Sequence, residues 1–284
     1  MSDLVSYLFK TNALRVSPAD KPFWYTSGKI GPFYINTHFL YGSELEAVEL
    51  LSFIDSEKGN KETLPKKIFE KTDEQYNKNE IYKHVIDEML DFINTNIDLN
   101  EIDYISGGER RDWFFSNIIA NKLNKPHICI YKDLSIVVTD SNFENILDKS
   151  TIKNAKILHI ADLITEASSY VRAWLPAIQN YGANITSTLV VVDRLQGGKE
   201  ILAEKNVAAF SLLNIDESLF EKALALNILT KEQFDMLIKF KANPDETMRN
   251  FLVSHPDFLK NALRADEKTA QKAQLCTEKN LYNL

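Results

Sequence analysis

The chain has only two cysteines, Cys129 and Cys276, in 284 residues. That is too few for a disulfide framework or a zinc site, and the simple inference is a reduced, cytoplasmic setting. An excess of positive charge is also missing: 33 basic against 40 acidic side chains leave a net charge of −7. This argues against a nucleic-acid or anionic-membrane surface as the main business of the chain, so any phosphate site must be made locally. No apolar run approaches the length needed to span a bilayer, and residues 1–10 show no basic segment followed by a long apolar core. Neither a membrane span nor a secretory leader is expected, and internal repeats are not visible. What is present is a hydrophobic content of 44%, ample for a core. The length suits about two average domains, or one α/β domain with an appendage.

The most informative stretch is 156–200. An apolar run over 157–160 leads to Ala161-Asp162 and a short polar turn, Thr165-Glu166-Ala167-Ser168-Ser169. A helical pattern then runs to Tyr181, followed by Gly182 and a second apolar run over 189–192. Strand, loop, helix, strand in this order fits a right-handed crossover between parallel strands of a sheet covered by helices. An acidic residue at the end of a strand, followed by hydroxyl residues at a helix start, suits a sugar phosphate. The carboxylate accepts from ribose hydroxyls, while amides and hydroxyls surround the phosphate. The same turn also serves as a plain helix cap, and the residues alone leave both readings open.

Elsewhere the pattern predicts an amphipathic helix over 1–15, with Leu4, Tyr7, Leu8 and Leu14 on one side, and hairpin-like strands over 23–36. Residues 44–96 read as charged helix, interrupted at 57–60 and at Pro65, with a solvated insertion at about 56–80 that carries no chemistry. A strand over 102–105 precedes Ser106-Gly107-Gly108-Glu109-Arg110-Arg111-Asp112 and a helix over 113–123. The paired glycines are expected to let backbone amides face an anion, and the adjacent arginines supply charge for a pyrophosphate. A further strand over 127–131 ends at Lys132, and Ile136-Val137-Val138 suits a hairpin. Past Ile215 the composition turns to helices, with a cap at Thr230.

HIADLITEASS (159–169) resembles the phosphoribosyl pyrophosphate loop of type I phosphoribosyltransferases, and VVVDRLQGGKEILAEKNV (190–207) is similar to their orotate branch. FWYTSGKIGPFYIN (23–36) and ISGGERRDWFFSNIIANKLNKPHICIYKD (105–133) extend the likeness over most of 10–215. The resemblance implies an α/β fold of the type I phosphoribosyltransferase kind, a mostly parallel sheet flanked by helices, with an N-terminal hood and a C-terminal helical extension. On this view 1–215 form the phosphoribosyltransferase-like domain and 216–284 the extension. The implied reaction moves a phosphoribosyl group from phosphoribosyl pyrophosphate to orotate. Arg110, Arg111, Lys132, Asp162, Thr165, Ser168 and Ser169 would bind the donor, with Asp162 and Lys132 in the catalytic roles. Lys29, Phe33, Tyr34, Thr165 and Arg194 would hold orotate. Mg²⁺ would be held through the pyrophosphate rather than by protein ligands, and the family implies a homodimer.

Several positions depart from the family pattern. Thr26 stands where a lysine is usual, Ala161 where a second acid is usual, Glu166 where a small neutral residue is usual, and Ala167 where a glycine is usual. The segment 133–154, where the family has a mobile lid, has no histidine, and its lysines, Lys149 and Lys153, come late. These departures keep a second reading open, a protein of this fold with impaired catalysis that binds a nucleotide or nucleobase in a regulatory role.

Overall fold

The computed structural model describes residues 2–284. The chain begins with helix α1 (Ser2–Lys10), strands β1 (Leu14–Val16), β2 (Phe23–Trp24), β3 (Ile30–Gly31) and β4 (Phe33–Ile35), and helices α2 (Glu44–Glu57), α3 (Leu64–Lys78) and α4 (Glu80–Asn96). Strand β5 (Tyr104–Gly108), helix α5 (Trp113–Lys122) and strands β6 (His127–Ile130), β7 (Ile136–Thr139), β8 (Ile146–Leu147) and β9 (Lys156–Ile164) follow. A π-helical turn (Tyr170–Trp174) runs into α6 (Leu175–Gln179), and then come β10 (Asn184–Asp193), α7 (Gly198–Glu204) and β11 (Ala208–Asn214). The C-terminal part is helical: α8 (Glu217–Ala225), α9 (Lys231–Ala242), α10 (Pro244–Ser254), α11 (Pro256–Ala262) and α12 (Glu267–Glu278).

Contacts divide the chain into two units, Thr37–Asp216 and a second made of the chain up to Asn36 together with Glu217–Leu284. The first is built on a seven-stranded sheet in the order β11-β10-β9-β5-β6-β7-β8. Neighbours from β11 to β6 run parallel, and β7 and β8 turn back antiparallel at the edge. β9 and β10 are buried along nearly their whole length, which is why their residues are apolar at successive positions and not at alternate ones. β5 leads through α5 to β6 on one side, whereas β9 leads through α6 to β10 on the other. Because these connections leave in opposite directions from neighbouring strands, they open a crevice at the carboxyl ends of β5 and β9.

In the second unit β1 pairs with β4 and β2 with β3, both antiparallel. Ile30, Met248, Leu252, Cys276 and Tyr282 share one apolar cluster, and the Ile30 N–H donates to the Tyr282 hydroxyl at 2.8 Å. This packing groups residues 23–36 with the C-terminal helices, whereas the resemblance implies them within a 1–215 domain.

Several local expectations are corrected. The first helix ends at Lys10 and Leu14 begins a strand, since Asn12 takes a left-handed backbone (φ 60°) that stops the helix; Met1 lies outside the described residues. The 56–80 segment is more than a solvated insertion. Pro65 starts α3 instead of interrupting a helix, and Leu64, Ile68, Thr72 and Gln75 are buried. Truncating fully buried Ile68 (Ile68→Ala) is expected to cost about 2–5 kcal/mol, read as a lowered denaturation midpoint; a change near zero would restore the insertion reading. The hairpin suited by 136–138 is present as β7 and β8, and Phe143 stacks on Phe69 of α3 at 4.7 Å.

Candidate active site

Three loops leave the carboxyl ends of β5, β6 and β9 on the same edge of the sheet. They enclose a cavity of about 510 Å³ lined by Glu109, Arg110, Arg111, Asp112, Lys132, Asp162, Thr165, Glu166, Ser168, Ser169, Tyr170 and Trp174, among others. All seven residues expected on the donor side, Arg110, Arg111, Lys132, Asp162, Thr165, Ser168 and Ser169, are therefore brought to one wall system.

The β5 loop differs from expectation in how its glycines work. Gly107 and Gly108 lie in the strand itself, and a Cβ on Gly108 would sit 2.2 Å from the Trp174 indole. Close packing, not amide presentation, excludes a side chain there. The Gly108 N–H donates to Asp112 Oδ2 at 3.0 Å and so does not face the cavity. The Glu109–Arg110 peptide is cis. Arg110 pairs with Asp55 of α2, so part of its charge is already neutralised, while Arg111 is exposed at the cavity rim. The Lys132 main-chain N–H donates to Glu109 Oε2 at 3.0 Å, tying the β6 loop to the β5 loop.

In the β9 loop, Ala167 has φ 50° and is buried. A left-handed backbone costs a residue with a Cβ about 1–2 kcal/mol, so the missing glycine is a real local strain. Glu166 is exposed and can turn its charge to solvent. The turn after β10 supports this loop from below: the Arg194 N–H donates to the Ile164 carbonyl at 3.0 Å. A Cβ on Gly198 would lie 2.6 Å from the Thr165 carbonyl oxygen. Asp193 organises the same turn, accepting from the Leu195 N–H at 2.7 Å and facing Lys199 Nζ at 3.3 Å.

The residues expected on the orotate side divide between the units. Arg194 and Thr165 belong to Thr37–Asp216, Arg194 at the base of the β9 loop. Lys29, Phe33 and Tyr34 belong to the second unit. There Lys29 Nζ pairs with Asp245 at 2.7 Å, Phe33 is buried against Phe220 and Phe240, and the Tyr34 hydroxyl donates to the Trp24 carbonyl.

Asp162 is 7% exposed, and its Oδ2 is buried without a hydrogen-bond partner. Burial first, and then the neighbouring Asp112 charge, raise its carboxyl from 3.8 to about 7, with Arg111 acting in the opposite sense. Asp112, to which the sequence reading gave no role, also touches His159: His159 Nε2 lies 3.3 Å from Asp112 Oδ2, and its Nδ1 lies 2.9 Å from Ser106 Oγ. His38 is a further residue the reading missed. Burial and the charges of Arg111 and Arg110 lower it to about 3, so it is neutral near the arginines. The one sequence signal for Asp112 was its place directly after Arg111.

No family model matches the chain. It is 25% identical over 144 residues to an orotate phosphoribosyltransferase of Caenorhabditis elegans, covering 51% of this chain and 61% of that one. To the enzyme of that name from Methanosphaera stadtmanae it is 27% identical over 140 residues, 49% of this chain and 75% of the other. The Listeria monocytogenes enzyme is 33% identical over 95 residues, 33% of this chain and 44% of its own length. The match thus spans less than two thirds of the nematode relative. Among solved structures, a UMP synthase of Leishmania donovani superposes with a TM-score of 0.55 at 18% identity, over 84% of this chain and 41% of that chain. An orotate phosphoribosyltransferase of Francisella tularensis gives 0.55 at 14%, over 84% and 98%. The fold is that of the type I phosphoribosyltransferases, and the sequence is similar to the orotate phosphoribosyltransferases among them.

Proposed function

We propose that the chain transfers a phosphoribosyl group from phosphoribosyl pyrophosphate to a ring nitrogen of orotate, releasing orotidine 5′-phosphate and pyrophosphate. The observation that carries this reading is the meeting of Arg111, Lys132, Asp162 and the hydroxyl turn 165–169 in one cavity at a strand switch point. In the transfer, the bond from the ribose carbon to pyrophosphate breaks with its electrons on the leaving group. The orotate nitrogen supplies the new pair and loses its proton to solvent or pyrophosphate. Positive charge develops on the ribose carbon, so positioning and neutralisation of the leaving group are the main demands.

Thr165, Ser168 and Ser169 donate to the 5′-phosphate, Asp162 accepts from the ribose hydroxyls, and Arg111 and Lys132 hold the pyrophosphate. Arg110, shared with Asp55, contributes less. The cavity wall carries Glu109, Asp112, Asp162 and Glu166 against Arg110, Arg111 and Lys132. That acidic balance favours a donor that would arrive as its Mg²⁺ complex, the ion supplying positive charge to offset that of the leaving pyrophosphate while Arg111 and Lys132 hold the diphosphate. On the acceptor side Arg194 offers a fork that matches the orotate carboxylate, while the roles of Lys29, Phe33 and Tyr34 rest on the resemblance. A homodimer and a cytoplasmic setting belong to the same reading.

The test is orotate consumption, followed by absorbance, with donor and Mg²⁺, beside adenine and uracil as alternative acceptors. Orotate is expected to be the acceptor used, and Arg194→Ala to lose about ten- to a hundredfold in kcat/KM, as removal of a charged hydrogen-bonding partner implies. Binding of donor with no turnover on any acceptor would favour the second reading, a ligand-binding protein, which the strained Ala167 and the Arg110–Asp55 pair support.

A further inference from the structure

Asp112 occupies the cap position of α5, yet its side chain makes no capping hydrogen bond, forgoing the stabilisation such residues usually give. It turns back toward the sheet instead. Oδ2 accepts from the Gly108 N–H at 3.0 Å and faces His159 Nε2 at 3.3 Å, while Oδ1 accepts from the Asp162 N–H at 3.3 Å. One carboxylate thus bridges β5 and β9 across the point where their chains part. Beside it the Asp162 carboxyl lines the cavity with a buried oxygen that has no partner.

We propose that Asp112, backed by His159, is a positioning residue that couples ribose binding at Asp162 to the loss of a proton. The inference rests on reading the cavity as a donor site. Burial first, and then the charge of Asp112, whose carboxylate is held beside the Asp162 backbone, disfavour ionisation of Asp162 and bring it to about 7. Ribose hydroxyls that donate to Asp162 favour its ionised form, so the carboxyl O–H breaks, the proton leaves to solvent and the hydroxyl hydrogen bonds replace it. The other charged and titratable groups around Asp162 are Arg111 from the loop before α5, His159 on its own strand and Tyr170 from the π-helical turn. His38 lies near Arg111, and Arg110, Glu109, Lys132 and Glu166 stand on the cavity wall.

The experiment is calorimetry of the Mg²⁺ complexes of phosphoribosyl pyrophosphate and of plain pyrophosphate, in buffers of different ionisation enthalpy, from about two pH units below 7 to one above. In the wild type, donor affinity is expected to show a break near 7, with proton release on binding, in addition to the pH dependence that phosphate groups titrating near 6 give to both ligands, whereas pyrophosphate shows only the latter. Asp112→Asn moves the break down by about one pH unit or more, since the neighbouring charge is gone, and Asp112→Glu, which keeps the charge, leaves it in place. Should Asp112→Asn not fold, Asp112→Ser carries the same comparison. An unchanged break in the neutral variant, or an equal pH dependence for pyrophosphate, overturns the proposal. Failure of both ligands to bind at any pH removes the donor-site reading itself, and this inference with it.

Discussion

Asp162→Asn is expected to make the protein more resistant to unfolding above pH 7 while slowing transfer by one to two orders of magnitude. The folded Asp162 carboxyl is raised from 3.8 to about 7, so between these values the folded state binds more protons than the unfolded chain. Stability therefore falls as pH rises through that window, and above it the full cost of the buried charge stands. Asparagine carries no such cost. The gain is on the order of a few kcal/mol, since a tenfold change in acidity corresponds to about 1.4 kcal/mol and the Asp112 neighbour shares the effect. A domain of this size would melt several degrees higher. Catalysis moves the other way: losing a charged hydrogen bond to ribose costs about 1.5–3 kcal/mol, or roughly ten- to a hundredfold in kcat/KM. Melting curves of both proteins across the window, with kinetics beside them, check the pair of effects. A variant melting equally with wild type at high pH would show that Asp162 is not charged at a cost.

The second large effect separates the two arginines. Arg111→Ala is expected to weaken donor and pyrophosphate binding about ten- to a hundredfold, because an exposed guanidinium at the rim can bring a bidentate, charge-assisted contact to the diphosphate. Arg110→Ala is expected to change binding less than about tenfold, since Arg110 is engaged with Asp55. Removal of Arg111 also takes away the cation that opposes protonation of Asp162, so the acid side of the activity profile should move toward higher pH. Titration of both variants with the Mg²⁺ pyrophosphate complex gives the comparison. Equal losses for the two would mean that Arg110 leaves Asp55 when ligand arrives.

The crossover from β9 to β10 was legible because a strand buried on both faces writes its burial into consecutive apolar residues. Once the strands are parallel, their carboxyl ends share one edge, so loops far apart in sequence, at 109–112, 132 and 165–169, must gather there. The residues that the resemblance implied for the donor lie in these loops and line one cavity. The contact between Asp112 and the Asp162 amide was not legible, for it depends on β5 and β9 being neighbours and spans fifty residues. The buried face of α3 was concealed by chemistry: Leu64, Ile68, Thr72 and Gln75 keep helical spacing, but two of the four are polar. Thr72 and Gln75 satisfy themselves on the Phe69 and Tyr41 carbonyls. The glycine pair misled in another way. Gly107 and Gly108 signalled a loop, whereas the need for them comes from Ser116 and Trp174, which only the folded chain brings near.

The central claim, that this cavity moves a phosphoribosyl group, is tested most directly by incubating the purified chain with orotate, phosphoribosyl pyrophosphate and Mg²⁺ and measuring both products. The account predicts orotidine 5′-phosphate and pyrophosphate in equal amounts, with both formed far more slowly by Asp162→Asn. Donor bound without either product, or pyrophosphate released without the nucleotide, would contradict it.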